Sequence, residues 1–335
     1  MKQSKFSARR SLLAMAAATA IGAVSTPALA QTPTIRIDGS STVFPISEAV
    51  AEEFQKANRT MRVTVGISGT GGGFRRFCRG ESDIQNASRP ISKSEIEECR
   101  KAGIQYIELP VSFDALTVVV HPKSFLSEIS VEDLRRIWEP AAQGKITRWN
   151  QVNPAWPDRP IKLFGPGTDS GTFEYFTEAV VGKARASRPD FTASEDDHVL
   201  VLGVSRDVDA MAYFGFTYYQ ENRDKLRGLS ISWKGGRAVA PTAENVLNGS
   251  YQPLSRPLFI YVNAAALARP EVRSFVDFYN RNATKLAREV GMVPLPARAY
   301  EYNLSAVAKG RVGTKFGGEN RIGVTIDELM TLVAK

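Results

Sequence analysis

The sequence predicts an α/β protein of two lobes, and three observations carry that expectation. Apolar or alternating strands are followed repeatedly by segments with helical spacing, the pattern of strands joined by crossover helices in parallel sheets. The chain is 335 residues long, a size at which one core usually gives way to two. Two strongly apolar strands, DALTVVVHP and PLFIYV, would carry it from the first lobe into the second and back.

The first thirty residues stand apart. They contain Lys2, Lys5, Arg9 and Arg10, no acid, an apolar run from Leu12 to Val24, and Ala28-Leu29-Ala30 at the end. That is the layout of an export signal cleaved after Ala30, with Arg9-Arg10 also compatible with the twin-arginine route as well as the Sec route. The mature protein is expected in the periplasm. The leader supplies four of the net +8 charges, so its removal takes away the main support for nucleic acid binding.

The elements follow in order. Thr34 to Ile37 reads as a strand, and Ile46, Val50 and Phe54 then fall at helical spacing. Residues 61–67, MRVTVGI, alternate again before a glycine-rich turn into Phe74-Arg75-Arg76-Phe77. Tyr106 to Leu109 and Ala115 to Val120 are expected as buried strands. Ser130-Val131-Glu132-Asp133 opens a helix with a hydroxyl cap. After the loop 249–257 comes the apolar strand Pro257 to Val262, then a helix carrying Val272, Phe275, Val276 and Tyr279. The expected division is a signal peptide at 1–30, lobe one at 31–118 and 257–335, and lobe two at 119–256, joined by a two-strand hinge. Cys78 and Cys99 make an even pair in an oxidising compartment, which favours one disulfide.

Enzyme readings find little support. His121 and His198 are the two histidines, neither in a metal-ligand spacing, so no metal or cofactor is expected. Gly66-Ile67-Ser68-Gly69-Thr70 does not make a nucleophile elbow, and GTGGGF fits neither a dinucleotide fingerprint nor a P-loop. The acidic run Glu195-Asp196-Asp197 reads as solvated surface. What recurs is a strand, then small hydroxyl and glycine residues, then a helix: Gly39-Ser40-Ser41-Thr42-Val43, Ser68-Gly69-Thr70-Gly71-Gly72-Gly73 and Asp169-Ser170-Gly171-Thr172. Helix N-termini present unpaired N–H groups to an anion, glycine admits close approach, and hydroxyls add donors without charge. Arg89 supplies a cation able to make forked bonds to oxyanion oxygens. Together these describe a cradle for a tetrahedral oxyanion.

At these residues the chain resembles the periplasmic phosphate-binding proteins of phosphate-specific ABC transporters, over nearly its whole mature length. IRIDGSSTVFPISEAVAEEF is similar to the family's first binding loop and helix, GISGTGGGFRRFCRGESDIQNASRPIS to its second, and Asp169 to Phe173 to its Ser-Gly-Thr loop. The resemblance implies a type II periplasmic binding protein fold that closes around its ligand. It implies a monomeric, non-enzymatic receptor that delivers inorganic phosphate to an inner-membrane phosphate ABC permease. Position by position it puts Ser41, Thr42 and Val43 at the first loop, Thr70 at the second, and Ser170, Gly171 and Thr172 at the third. The chain departs from the better-known members at Arg89, where they carry an aspartate, and at Pro166, where they carry an arginine. The missing aspartate would accept a hydrogen bond from protonated phosphate, a role left to Asp83 or Asp169, and its absence leaves open a receptor for another oxyanion, such as sulfate or molybdate. An envelope phosphate-ester hydrolase is the further alternative.

Overall fold

The computed structural model describes residues 33–334, so the expected signal peptide lies outside the described residues. The chain opens with β1 (Thr34–Gly39), α1 (Phe44–Ala57), β2 (Arg62–Val65), α2 (Gly69–Phe77), β3 (Ile84–Ala87), α3 (Lys93–Lys101) and β4 (Tyr106–Ala115). A second run follows: β5 (Thr117–Val120), β6 (Glu128–Ser130), α4 (Val131–Trp138), β7 (Lys162–Pro166), α5 (Gly171–Val181), β8 (Thr192–Ser194), α6 (Asp197–Ser205) and β9 (Ala210–Phe214). Then come α7 (Phe216–Glu221), β10 (Arg227–Gly228), β11 (Ser230–Ser232), α8 (Ala243–Leu247) and the returning β12 (Ser255–Asn263). The chain closes with α9 (Pro270–Glu289), β13 (Val293–Pro294), α10 (Ala297–Ala308) and α11 (Ile326–Ala334).

Two large sheets organise these elements. The first has the order β13-β4-β12-β3-β1-β2 and the second β10-β5-β9-β7-β8. β1 pairs in parallel with β2 and β3, and β7 with β8 and β9. The parallel pairing expected from the alternation gives way at the crossings, where β12 runs antiparallel to β3 and β4, and β5 antiparallel to β9. The cause is connectivity: outgoing β4 and returning β12 lie side by side, so they must point in opposite directions. The apolar run 115–120 is likewise divided. Leu116 leaves the ladder to hydrogen-bond the carbonyl of Leu254, and its own carbonyl accepts from the Tyr251 hydroxyl.

The apolar periodicity read from the sequence is what packs the first lobe. Ile46, Val50 and Phe54 of α1 are buried, as are Val272, Phe275, Val276 and Tyr279 of α9. The Phe54 ring meets Phe275 edge-on at 5.2 Å between centroids. Ser130 caps α4 by accepting from the Asp133 N–H at 2.9 Å, as its spacing predicted. Cys78, at the end of α2, is bonded to Cys99 of α3. This staple holds the second glycine-rich helix in place. Among the described residues no helix is long and apolar enough to cross a membrane.

Candidate functional site

Each of the three hydroxyl and glycine loops leads from the end of a strand into a helix, and all three meet where the lobes face one another. In the first, Gly39 ends β1 at φ +127°, and a Cβ there would lie 2.3 Å from the Asn86 carbonyl oxygen. Only glycine fits that approach. In the second, Gly69 has φ +73° and starts a helix whose glycines give it little intrinsic stability. Neither α1 nor α2 has a side-chain cap at its first turn, so their leading N–H groups are not spent on capping oxygens. In the third loop the Ser170 Oγ caps α5, accepting from the N–H groups of Thr172 at 3.0 Å and Phe173 at 3.4 Å. That use takes lone pairs and leaves the Ser170 hydrogen available to a ligand.

The lobes touch directly through these loops. The Thr42 and Thr172 hydroxyl oxygens are 2.9 Å apart across the junction, and within the first lobe those of Thr70 and Ser88 are 3.1 Å apart. The Gly71 N–H donates to the Asp169 carbonyl across the cleft at 2.8 Å, and the Tyr218 hydroxyl donates to the Ser41 carbonyl at 3.0 Å. A Cβ on Gly171 would lie 2.6 Å from both the Ser88 Oγ and the Thr70 Oγ1. The structure therefore represents a closed arrangement. Ser41, Thr42, Val43, Thr70, Ser170, Gly171 and Thr172 are all buried at or beside this junction.

Arg89, expected beside the anion, is engaged by two carboxylates in this structure. Its Nη1 and Nη2 donate to the two carboxylate oxygens of Glu95, each at 2.8 Å, and its Nε ion-pairs with Glu174 of α5. All three side chains are buried. The physical reason lies in the capping box of α3, where Glu95 also accepts from the backbone N–H of Ser92 at 2.8 Å and so stands in reach of the arginine six positions before it. Arg89 is thus a bridge between lobes.

The cation beside the hydroxyls is Arg256, which the sequence pattern places in the loop 249–257. It is the second residue of β12 and the cross-strand partner of Asp114 on β4. Its Nη2 donates to the Thr172 Oγ1 at 2.7 Å, its Nη1 to the Gly171 carbonyl at 3.2 Å, and its Nε and Nη2 to Asp114 at 3.1 and 2.9 Å. Asp114 in turn accepts from the Phe216 N–H at the start of α7. Asp83 and Asp169 serve elsewhere, Asp83 pairing with Arg269 and Asp169 with Arg75. The acid that does reach the cluster is Asp197, the first residue of α6, whose Oδ2 accepts from the Ser41 Oγ at 3.3 Å. Burial pushes its carboxyl up to about 8, partly offset by that hydroxyl. It belongs to the acidic run read as solvated surface. Its partners, far off in sequence, gave no local signal of burial.

The arrangement offers hydroxyl and backbone donors, an arginine behind one hydroxyl, and little negative charge free of a partner. Such a set matches the donor requirement of an oxyanion. Among the described residues no group of three or more histidine, cysteine or acidic side chains could hold a metal ion. The profile of the PBP superfamily domain matches residues 22–282. Protein SphX from Synechococcus elongatus is 54% identical over 90% of this chain and 90% of its own length. The phosphate-binding protein PstS from Staphylococcus saprophyticus is 37% identical over 79% of this chain and 82% of its own. A crystal structure described as a possible phosphate binding protein from Planctomyces limnophilus superimposes with a TM-score of 0.62 at 45% identity, covering 84% of this chain and 99% of that one.

Proposed function

Since the chain belongs to the PstS-like phosphate-binding proteins of the PBP superfamily, with their type II periplasmic binding fold, we propose that it captures inorganic phosphate between its lobes and delivers it to an inner-membrane ABC permease. It is a phosphate-binding substrate-binding protein and not an enzyme. The observation that carries the reading is the meeting of three donor-rich loops from both lobes around Thr42, Thr70 and Thr172. In this reading Ser41, Thr42, Thr70, Ser170 and Thr172 contribute hydroxyls, and the amides at Val43 and Gly171 contribute N–H donors. Arg256 stands behind Thr172, turning its oxygen toward the arginine and its hydrogen toward the anion.

Each hydrogen bond to a charged ligand contributes ~1.5–3 kcal/mol net, so a handful reaches micromolar affinity or better after the cost of closing. Closure is a population shift driven by contacts to both lobes. We take residues 31–118 and 257–335 as lobe one and 119–256 as lobe two. The first thirty residues serve as the export signal, and the mature chain works as a periplasmic monomer. The test is calorimetric titration of the mature chain, stripped of ligand by unfolding and refolding, first with phosphate and then with sulfate. Micromolar or tighter phosphate binding supports the reading, and silence toward phosphate removes it. Sulfate binding equally well would keep the cradle and remove the phosphate preference.

A further inference from the structure

We propose that Arg75 and Asp169 form an exposed clasp between the closed lobes, which slows the release of bound phosphate and makes the release rate depend on ionic strength. The inference rests on the phosphate-receptor reading, in which the ligand lies between the lobes and leaves when they part. Three bonds run from this one residue of lobe two to helix α2 of lobe one. The Arg75 guanidinium donates in a fork to the two carboxylate oxygens of Asp169, from Nη1 at 3.1 Å and from Nη2 at 2.6 Å. The Gly71 N–H donates to the Asp169 carbonyl at 2.8 Å. Parting the lobes breaks all three.

Both lobes shape the seat of Asp169. On α2, a Cβ at Gly69 would lie 2.7 Å from the Asp169 carbonyl oxygen, so the glycine that starts this helix also makes room for a residue of the other lobe. Within lobe two, the Asp169 N–H donates to the Glu195 Oε1 at 3.1 Å, and the next residue, Ser170, caps α5. Asp169 thus ties α2 to the loop that the reading assigns to the anion. The Arg75 and Asp169 side chains are 50% and 37% exposed, whereas Arg89 and Glu174, which also pair between the lobes, are 5% and 10% exposed. Salt screens an exposed pair and affects a buried one much less. Exposed pairs in general contribute little, because two long side chains must be ordered to form them. Here the aspartate is already fixed through its N–H and its carbonyl, and the forked arrangement is the stronger geometry for an arginine and a carboxylate. The pair forms once the lobes have met, so its loss should appear in release more than in capture. Arg75 and Asp169 are positioning residues: they hold the closed state and act on the ligand through it.

The test is stopped-flow displacement of phosphate from the mature chain at about 0.02 M and about 0.5 M sodium chloride, in wild type, Arg75→Met, Asp169→Asn and the double variant. Wild-type release should be about two- to fivefold faster at the higher salt. At the lower salt each single variant should release phosphate about two- to fivefold faster than wild type, with association nearly unchanged and the salt dependence largely gone. The double variant should release no faster than the single ones, as expected of a direct pair. Wild-type release that ignores salt overturns the proposal, as do single-variant effects that multiply in the double variant. The wild-type salt profile can refute it without any variant, and urea unfolding of the unliganded variants checks that they are folded. A wild type that binds no phosphate removes the receptor reading, whereas one that binds phosphate and releases it at a salt-independent rate removes the clasp alone.

Discussion

Replacing Glu174 by glutamine separates two roles for Arg89 by the sign of the effect. In the closed structure the Arg89 guanidinium is held bidentately by Glu95 of its own lobe and reaches Glu174 of the other lobe through Nε. Glu174 also holds Arg185, so its carboxylate is engaged by a second cation on its own side. With glutamine, Arg89 keeps Glu95 and lobe one is undisturbed. Only the closed state loses a charged contact, at ~1.5–3 kcal/mol, less than the ~3–5 kcal/mol for a buried charge stranded with no partner. Because ligand traps the closed state, the loss should appear as a roughly tenfold to hundredfold weaker phosphate affinity, carried mostly by faster release. If Arg89 contacted phosphate itself, relieving it of one of its two carboxylates would strengthen its pull on the anion, and affinity would rise. Calorimetry gives the affinity, stopped-flow displacement the release rate, and urea unfolding without ligand checks that the fold is intact. Equal or tighter phosphate binding by a stably folded Glu174→Gln protein would refute the bridge.

Three further outcomes follow from the same geometry. Arg256→Met strands Asp114 in the interior, which should cost ~3–5 kcal/mol in urea unfolding. Adding Asp114→Asn should recover part of that stability while calorimetry still finds weakened phosphate binding, because Thr172 has lost its arginine. Gly171→Ala places a methyl group 2.6 Å from the Ser88 and Thr70 hydroxyl oxygens, so the lobes cannot seat fully. Phosphate affinity should drop at least about tenfold with little change in the melting temperature of the unliganded protein. Reducing Cys78–Cys99, which closes a separation of 21 residues, should lower stability by ~3 kcal/mol on the loop-entropy account. Urea midpoints with and without reductant measure this, and binding stoichiometry should stay at its oxidised value.

What the sequence made legible was what is local. Helical spacing in α1 and α9, the Ser130 cap and the three hydroxyl and glycine turns depend on neighbours within a few positions, and each stands where its pattern put it. The cysteine pair was readable from number and compartment. The charges were not readable, because a charged side chain is assigned by whatever meets it in space. Arg256 finds Asp114 across a separation of 142 residues, through the register of two crossing strands. Asp197 is buried and meets Ser41, 156 positions away. Arg89 sits in a motif-like segment, yet its neighbours Glu95 and Glu174 decide its role. The antiparallel crossings, too, depend on where the chain returns, which no single stretch of sequence records.

The bond from the Gly71 N–H to the Asp169 carbonyl has a consequence for observing this molecule at work. Gly71 lies in the first turn of α2, where a backbone amide has no acceptor within its own helix, and its acceptor belongs to the opposite lobe. Exchange of that hydrogen with solvent deuterium therefore requires the lobes to part and does not require α2 to unwind. Its protection, compared with amides deeper in the same helix, reads the open fraction of unlabelled protein directly. One backbone hydrogen serves as a native gauge of how often the cleft opens, with ligand and without.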